Sequence, residues 1–149
     1  ALVHEKLYQS TDLSRIDFAE YIQSLSSYLF YTYNANNRLV KLRIQADNVY
    51  LPVDKAIPCA LIINELITNS LKHAFLKENK GIISIKLYEK DSKYILQFSD
   101  NGTGLPEELD IHNVNTIGLD LIINLVEQID GILELDTNKG TSFKITFPL

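Results

Sequence analysis

Two alternating runs stand close together in this chain, residues 82–88 and 94–99, with only the polar stretch 90–93 between them. Successive side chains of a strand point to opposite faces, so each run has one apolar face to bury. A link this short makes them neighbours in one hairpin, and a sheet built on it needs a second layer against its apolar face. Helical runs are available for that layer. Phe18, Tyr21, Ile22, Leu25, Tyr28 and Leu29 recur at helical spacing, predicting an amphipathic helix over 17–33 that ends at Asn34, Asn36 and Asn37. Val40, Leu42 and Ile44 alternate with Lys41, Arg43 and Gln45, a half-buried strand, and 49–51 reads as a short second one. Asp54 is the expected N-cap of a long helix through Phe75, with Pro58 in its opening turn. A loop rich in Gly, Asn and Pro covers 100–115. After it comes a helix with Leu119, Ile122, Ile123 and Val126 on one face and Gly131 as its stop. A closing hairpin pairs 132–135 with 143–147 and turns at 138–140. The expected fold is α+β, a two-layer α/β sandwich whose mixed, mostly antiparallel sheet packs against about three helices. No βαβαβ run occurs, which argues against a doubly wound nucleotide fold.

Composition narrows the function. The chain of 149 residues is 46% hydrophobic and 22% charged, within the range of globular domains. Its net charge of −5 argues against nucleic acid or an anionic membrane as the main partner. A polyanion could still bind at a local site built from amides, a cation and a few basic side chains. The single cysteine, Cys59, permits no internal disulfide and suits a reducing, cytoplasmic setting. No apolar run reaches bilayer length, and the opening ALVHEKLYQS shows no signal peptide. That opening reads as the tail of a longer helix, so the chain is expected to be a piece of a larger protein.

Four motifs carry candidate chemistry. In ELITNSLKHAF, Glu65, Asn69, Lys72 and His73 fall within one arc of about 100° at helical spacing, while Ile63, Ile67, Ser70 and Ala74 take the opposite side. A solvated helix face would give such a stripe. So would a carboxylate, an amide and an ammonium aimed at one ligand, the groups that polarise water, coordinate Mg²⁺ and neutralise a phosphate. SDNGTGLP follows a strand directly; Asp100 there could accept a hydrogen bond from an exocyclic amine, although the same residues make a plain turn. NTIGLDL opens a helix, where unpaired N–H groups and the dipole favour anions and Gly118 lets a phosphate approach. In KGTSF, Gly140 suits a hairpin turn equally well.

In order and spacing, ELITNSLKHAF, DNGTGLP, NTIGLDL and KGTSFKITF resemble the N box and the three glycine boxes of histidine kinase catalytic domains. These belong to the ATPase superfamily shared with gyrase, heat-shock chaperones and mismatch-repair proteins. The resemblance runs from Ile57 onward. IPCALIINELITNSLKHAF and the opening LVHEKLYQSTDLSRIDFAEYI are similar to kinases of the second dimerisation-and-phosphoacceptor class. The resemblance implies ATP and Mg²⁺ as ligands. By it Asn69 would ligate Mg²⁺, Lys72 would contact the phosphates and His73 would stand by the ribose or the lid. Glu65 matches the general base of the superfamily's ATPases. Asp100 would accept the adenine amino group, Gly102 and Gly104 would shape the pocket floor, and Leu105 would begin a lid over 105–116. Gly118 and Leu119 would close that lid at the triphosphate, and Thr141 would line the adenine side. Two departures stand out: Ile117 occupies a position where a glycine is common, and the lid has no Phe-rich box. No phosphate loop of the GxxxxGK[ST] type occurs.

The resemblance divides the chain into residues 1–15, the tail of a preceding acceptor helix or a linker, and 16–149, the ATP-binding catalytic domain. It implies transfer of the γ-phosphoryl of ATP to a histidine, then to a response-regulator Asp, in a parent expected to be a homodimer. VHEKL around His4 lacks the acceptor box of that class, so the acceptor is expected on upstream dimerisation helices. His112 falls in the lid. Rival readings are an ATP hydrolase of the gyrase or chaperone type, a serine kinase, and a non-catalytic nucleotide- or partner-binding module.

Overall fold

The computed structural model describes residues 16–33, 39–46, 49–74, 80–101, 117–136 and 141–148. In chain order its elements are β1 (Ile16–Asp17), α1 (Phe18–Thr32), β2 (Leu39–Gln45), β3 (Tyr50–Leu51) and α2 (Val53–Asn69), which continues into a π-helical segment, Ser70–Ala74. β4 (Lys80–Lys90), β5 (Lys93–Asp100), α3 (Ile117–Gln128), β6 (Ile132–Asp136) and β7 (Thr141–Pro148) follow. The hairpin expected from the alternating runs is β4–β5, turning on Asp91 and Ser92 with φ of 54° and 64°. Two left-handed residues in succession give the turn whose twist matches the flanking strands. The sheet order is β2-β4-β5-β7-β6, with β2 parallel to β4 and every other pair antiparallel. This is the mixed, mostly antiparallel sheet that was expected. β1, which was not foreseen, pairs with β3 as a separate two-stranded ribbon.

The helices form the second layer, with α2 lying between α1 and α3. Alternation along the strands turns Ile83, Ile85, Phe98, Phe143 and Ile145 into the core, where they join Ile22 and Leu25 of α1, Ile63 and Ile67 of α2, and Ile122 of α3. Each such side chain contributes about 1.5–3 kcal/mol by leaving water. The two layers are therefore held mainly by burial, and polar residues need not be spent on holding them.

Three helix ends differ from expectation. Asp17 does cap α1, accepting from the Glu20 amide at 3.3 Å. Asp54 does not cap α2. The chain reaches Pro52 extended, and the Pro52 carbonyl already accepts from the amides of Lys55 and Ala56 at 3.0 and 2.8 Å, so Asp54 falls inside the first turn. Pro58 consequently stands one turn inside the helix rather than in its opening turn, where it cannot donate to the Asp54 carbonyl; its ring is buried. At the far end the α-helix stops at Asn69 and widens, and Phe75 lies outside the described residues.

The stop of α3 is made by two residues. Asp130 is left-handed, with φ of 56°, and donates to the Glu127 carbonyl at 3.0 Å, while Gly131 donates to the Val126 carbonyl at 2.8 Å. This pair of bonds is a Schellman end with Asp, not Gly, at the left-handed position. Gly131 is required for another reason: a Cβ there would lie 3.1 Å from Val126 Cγ1 and 3.2 Å from the Val126 carbonyl oxygen. Asp130→Gly is expected to stabilise the domain by up to about 1 kcal/mol, and Gly131→Ala to destabilise it by about 1 kcal/mol. Urea midpoints at constant slope measure both. An unchanged midpoint for Gly131→Ala would mean that the helix end yields freely.

Candidate functional site

The polar stripe of α2 is real as far as it is described. Glu65 is half-buried and Asn69 exposed, while Ile63, Ile67 and Ser70 are buried on the other side. The stripe does not continue as one regular helix. From Ser70 the backbone adopts the π form, an insertion often found at functional sites. Lys72 lies within this widened turn, exposed, with its Nζ 5.6 Å from the centre of the Tyr33 ring at the end of α1. That distance suits a cation–π contact. His73 belongs to the same segment, and its side chain lies outside the described residues.

Asp100 is the last residue of β5 and only 6% exposed. A carboxylate so placed must be met by donors, because a buried polar group without partners costs several kcal/mol. Two donors come from different layers. The Ser70 hydroxyl donates to Oδ2 at 2.6 Å, and the amide of Thr141, its partner in the β5–β7 register, donates to Oδ1 at 3.3 Å. The first bond has the short length of a hydroxyl on a carboxylate. Asp100 is thus a strand residue held at the edge of the core, and a plain turn does not describe it. The next residue seals the strand end: the Asn101 amide donates to the Ile82 carbonyl at 3.2 Å, and the Ile82 amide donates to Asn101 Oδ1 at 2.7 Å.

Asn69, on the stripe, and Ser70, on Asp100, are consecutive residues, so two of the four motifs meet at one peptide bond. Thr141, 8% exposed, brings in the third. Gly118 is the second residue of α3, and Leu119 turns its side chain into the core. Gly102, Gly104, Leu105 and the rest of the proposed lid fall outside the described residues, as do His4, His112 and Gly140. Sequence reasoning missed Ser70, grouping it with the small residues that let the helix lie close to the sheet. The available signal was a hydroxyl in an otherwise apolar stripe, beside the residue expected to bind metal.

Among the described residues no three His, Cys, Asp or Glu side chains gather as a metal site. An exposed amide oxygen such as that of Asn69 suits a hard cation that takes its remaining ligands from phosphate and water. Cys59 is fully buried, and burial pushes its thiol up to about 12, far from a nucleophile's range. No described helix is long and apolar enough to cross a membrane.

Residues 54–149 match the family described as histidine kinase-, DNA gyrase B-, and HSP90-like ATPase, and residues 1–33 match a second family described as histidine kinase. Blue-light-activated histidine kinase 2 of Erythrobacter litoralis (strain HTCC2594) is 29% identical over 151 residues, 96% of this chain and 44% of that protein. Sensor histidine kinase PdtaS of Mycobacterium tuberculosis is 25% identical over 154 residues, 100% of this chain and 30% of that protein. The chain therefore spans less than half the length of either relative. The solved histidine kinase domain from the Erythrobacter litoralis EL346 blue-light activated histidine kinase shares the fold, with a TM-score of 0.85 at 24% identity over 99% of this chain and 70% of that one.

Proposed function

The chain belongs to the histidine kinase-, DNA gyrase B-, and HSP90-like ATPases; from that premise we propose that it is the ATP-binding domain of a histidine kinase, whose site transfers the γ-phosphoryl of ATP to a histidine on dimerisation helices of the same protein. The observation that carries the reading is the buried Asp100 carboxylate, held from both layers beside Asn69. An ionised carboxylate only accepts hydrogen bonds, and adenine offers an amino donor where guanine offers a carbonyl. Asp100 would select the base, with Thr141 lining the adenine side and Gly102 and Gly104 shaping the floor. Asn69 would hold Mg²⁺ through its amide oxygen. The metal, when bound, supplies charge neutralisation on the phosphates. Lys72 would contact the phosphates, the start of α3 at Gly118 and Leu119 would close on the triphosphate, and His73 would stand by the ribose or the lid.

The chemistry asks little covalent work of the domain. The bond from the γ-phosphorus to its bridging oxygen breaks while a bond to the acceptor nitrogen forms, and the domain contributes alignment and electrostatic stabilisation. Glu65, one helical turn before Asn69, is the carboxylate able to take a proton from the attacking group. Histidine is favoured over serine as acceptor by the match of residues 1–33 to a histidine kinase family. In the intact protein, a homodimer by this reading with this domain on the cytoplasmic side, the phosphoryl group passes on to an aspartate of a response regulator.

Asn69→Ala is expected to abolish the enhancement of ATP binding by Mg²⁺ with the fold intact. Calorimetry with and without the metal checks it, and equal enhancement in variant and parent would remove Asn69 from the metal. ATP should outcompete GTP by at least about a hundredfold, roughly 2.7 kcal/mol, and Asp100→Ala should lose most of that margin. Competition against a fluorescent ATP analogue measures both, and full selectivity in the variant would make Asp100 a structural residue only. Incubation with γ-labelled ATP should leave no phosphohistidine at His4, His73 or His112, whereas dimerisation helices bearing an acceptor should gain an acid-labile label. Label at His4 would falsify the assignment of the acceptor to other helices.

A further inference from the structure

We infer that the outer face of the sheet, away from the helices, holds a docking groove for an acidic extended segment of a partner protein, seated on Arg43 and Lys86. The alternation that turns Phe98 and Asp100 inward turns Gln97 and Ser99 to this outer face, so the groove is separate from the site built around Asp100. Register sets three strands side by side here. Arg43 lies beside Ser84 and Ser84 beside Ser99, while Gln45, Lys86 and Gln97 make the next row. The two serines are short and the side chains around them are long, which leaves a hollow of about 310 Å³.

Charge says what fits the hollow. Arg43 and Lys86 are both exposed, and no carboxylate is among the described residues that line it. The guanidinium fork can take both oxygens of a carboxylate, and the Gln45 and Gln97 amides add neutral donors. The chain as a whole carries −5, and the carboxylates of this face, Glu134 and Asp136, stand on β6 at the opposite edge, beside Lys144 and Ser142. The face is thus cationic at its β2 end and acidic at its β6 end. A long polyanion crossing it would meet both, whereas a short acidic segment stays at the cationic end. A free small anion would make only solvent-screened pairs, each worth about 1 kcal/mol or less, and a segment adds contacts along its length. Lys41, also exposed, precedes Arg43 by two residues on the edge strand β2. Alternate side chains of an extended segment recur at about 7 Å, the spacing of Lys41 and Arg43 themselves, so carboxylates at alternate positions meet both.

The test measures fluorescence anisotropy of a short labelled peptide alternating Asp and Ser, titrated with this chain at low salt. Saturable binding that weakens as salt is raised is expected, and a matching peptide of Asn and Ser should bind far less. Arg43→Gln with Lys86→Gln should lower the affinity by about fivefold or more, with ATP affinity and the urea midpoint unchanged. Lys144→Gln removes a cation of the same face outside the hollow and should change it by less than about twofold. No saturable binding by the parent overturns the inference, as does equal affinity in the double variant. A loss in Lys144→Gln as large as in the double variant means diffuse charge attraction and overturns it too. Tripolyphosphate bound more tightly than the peptide, and lost in the double variant, would make the hollow a site for free anions and would also overturn it. None of these outcomes touches the reading of the nucleotide site.

Discussion

The hydrogen bond from Ser70 to Asp100 crosses from the helical layer to the sheet at the one place, among the described residues, where a carboxylate is buried. Elsewhere the layers meet through branched apolar side chains, which bury well but specify little about direction. A buried carboxylate has the opposite character: it is costly when its donors are missing and demands them at fixed angles. The helix must therefore present its hydroxyl at the last residue of β5, and β7 must run far enough to bring the Thr141 amide alongside. Sheet register and helix placement are coupled through two oxygens.

The break in α2 falls at this bond. Regular helical spacing already puts Ser70 on the side of Ile63 and Ile67, and the backbone widens from Ser70 onward, with Ser70 and Leu71 buried and Lys72 exposed. The cost of a π turn in a helix is tolerated where side-chain directions matter more than backbone regularity.

Much of this was legible in the sequence, and the reasons differ by level. The hairpin of β4 and β5 and the amphipathic α1 and α3 follow from periodicity, which depends on burial and so survives any detail of packing. The start of α1 could be read from its apolar run, and Asp17, a short acidic side chain just before it, caps it. Asp54 offered the same local signal and lost to Pro52, whose carbonyl had already begun the helix; only the incoming chain direction decides between them. Gly131 was correctly marked as special for an incomplete reason, since its close contact with Val126 exists only in three dimensions. Ser70 was hidden because a small residue on a packed face and a buried donor look identical until the partner strand is known. The motifs were readable from order and spacing, whereas the meeting of Ser70 with Asp100 was not.

The parallel edge of the sheet bears on how the domain assembles. Lys90 and Lys93 meet across a turn of two residues, whereas Leu39 and Lys80 are about forty residues apart in the chain when they pair. Closing a longer loop loses more chain entropy before any contact repays it, and contacts of large sequence separation slow folding. β4 and β5 can therefore form early from local contacts, and β7 can add to β5 once α3 is in place. β2 can likewise add to β4 once α2 is in place. Asp100, at the end of β5, thus belongs to the part of the molecule that local pairing can organise first, and its partner Ser70 arrives with the helix whose docking completes the sheet.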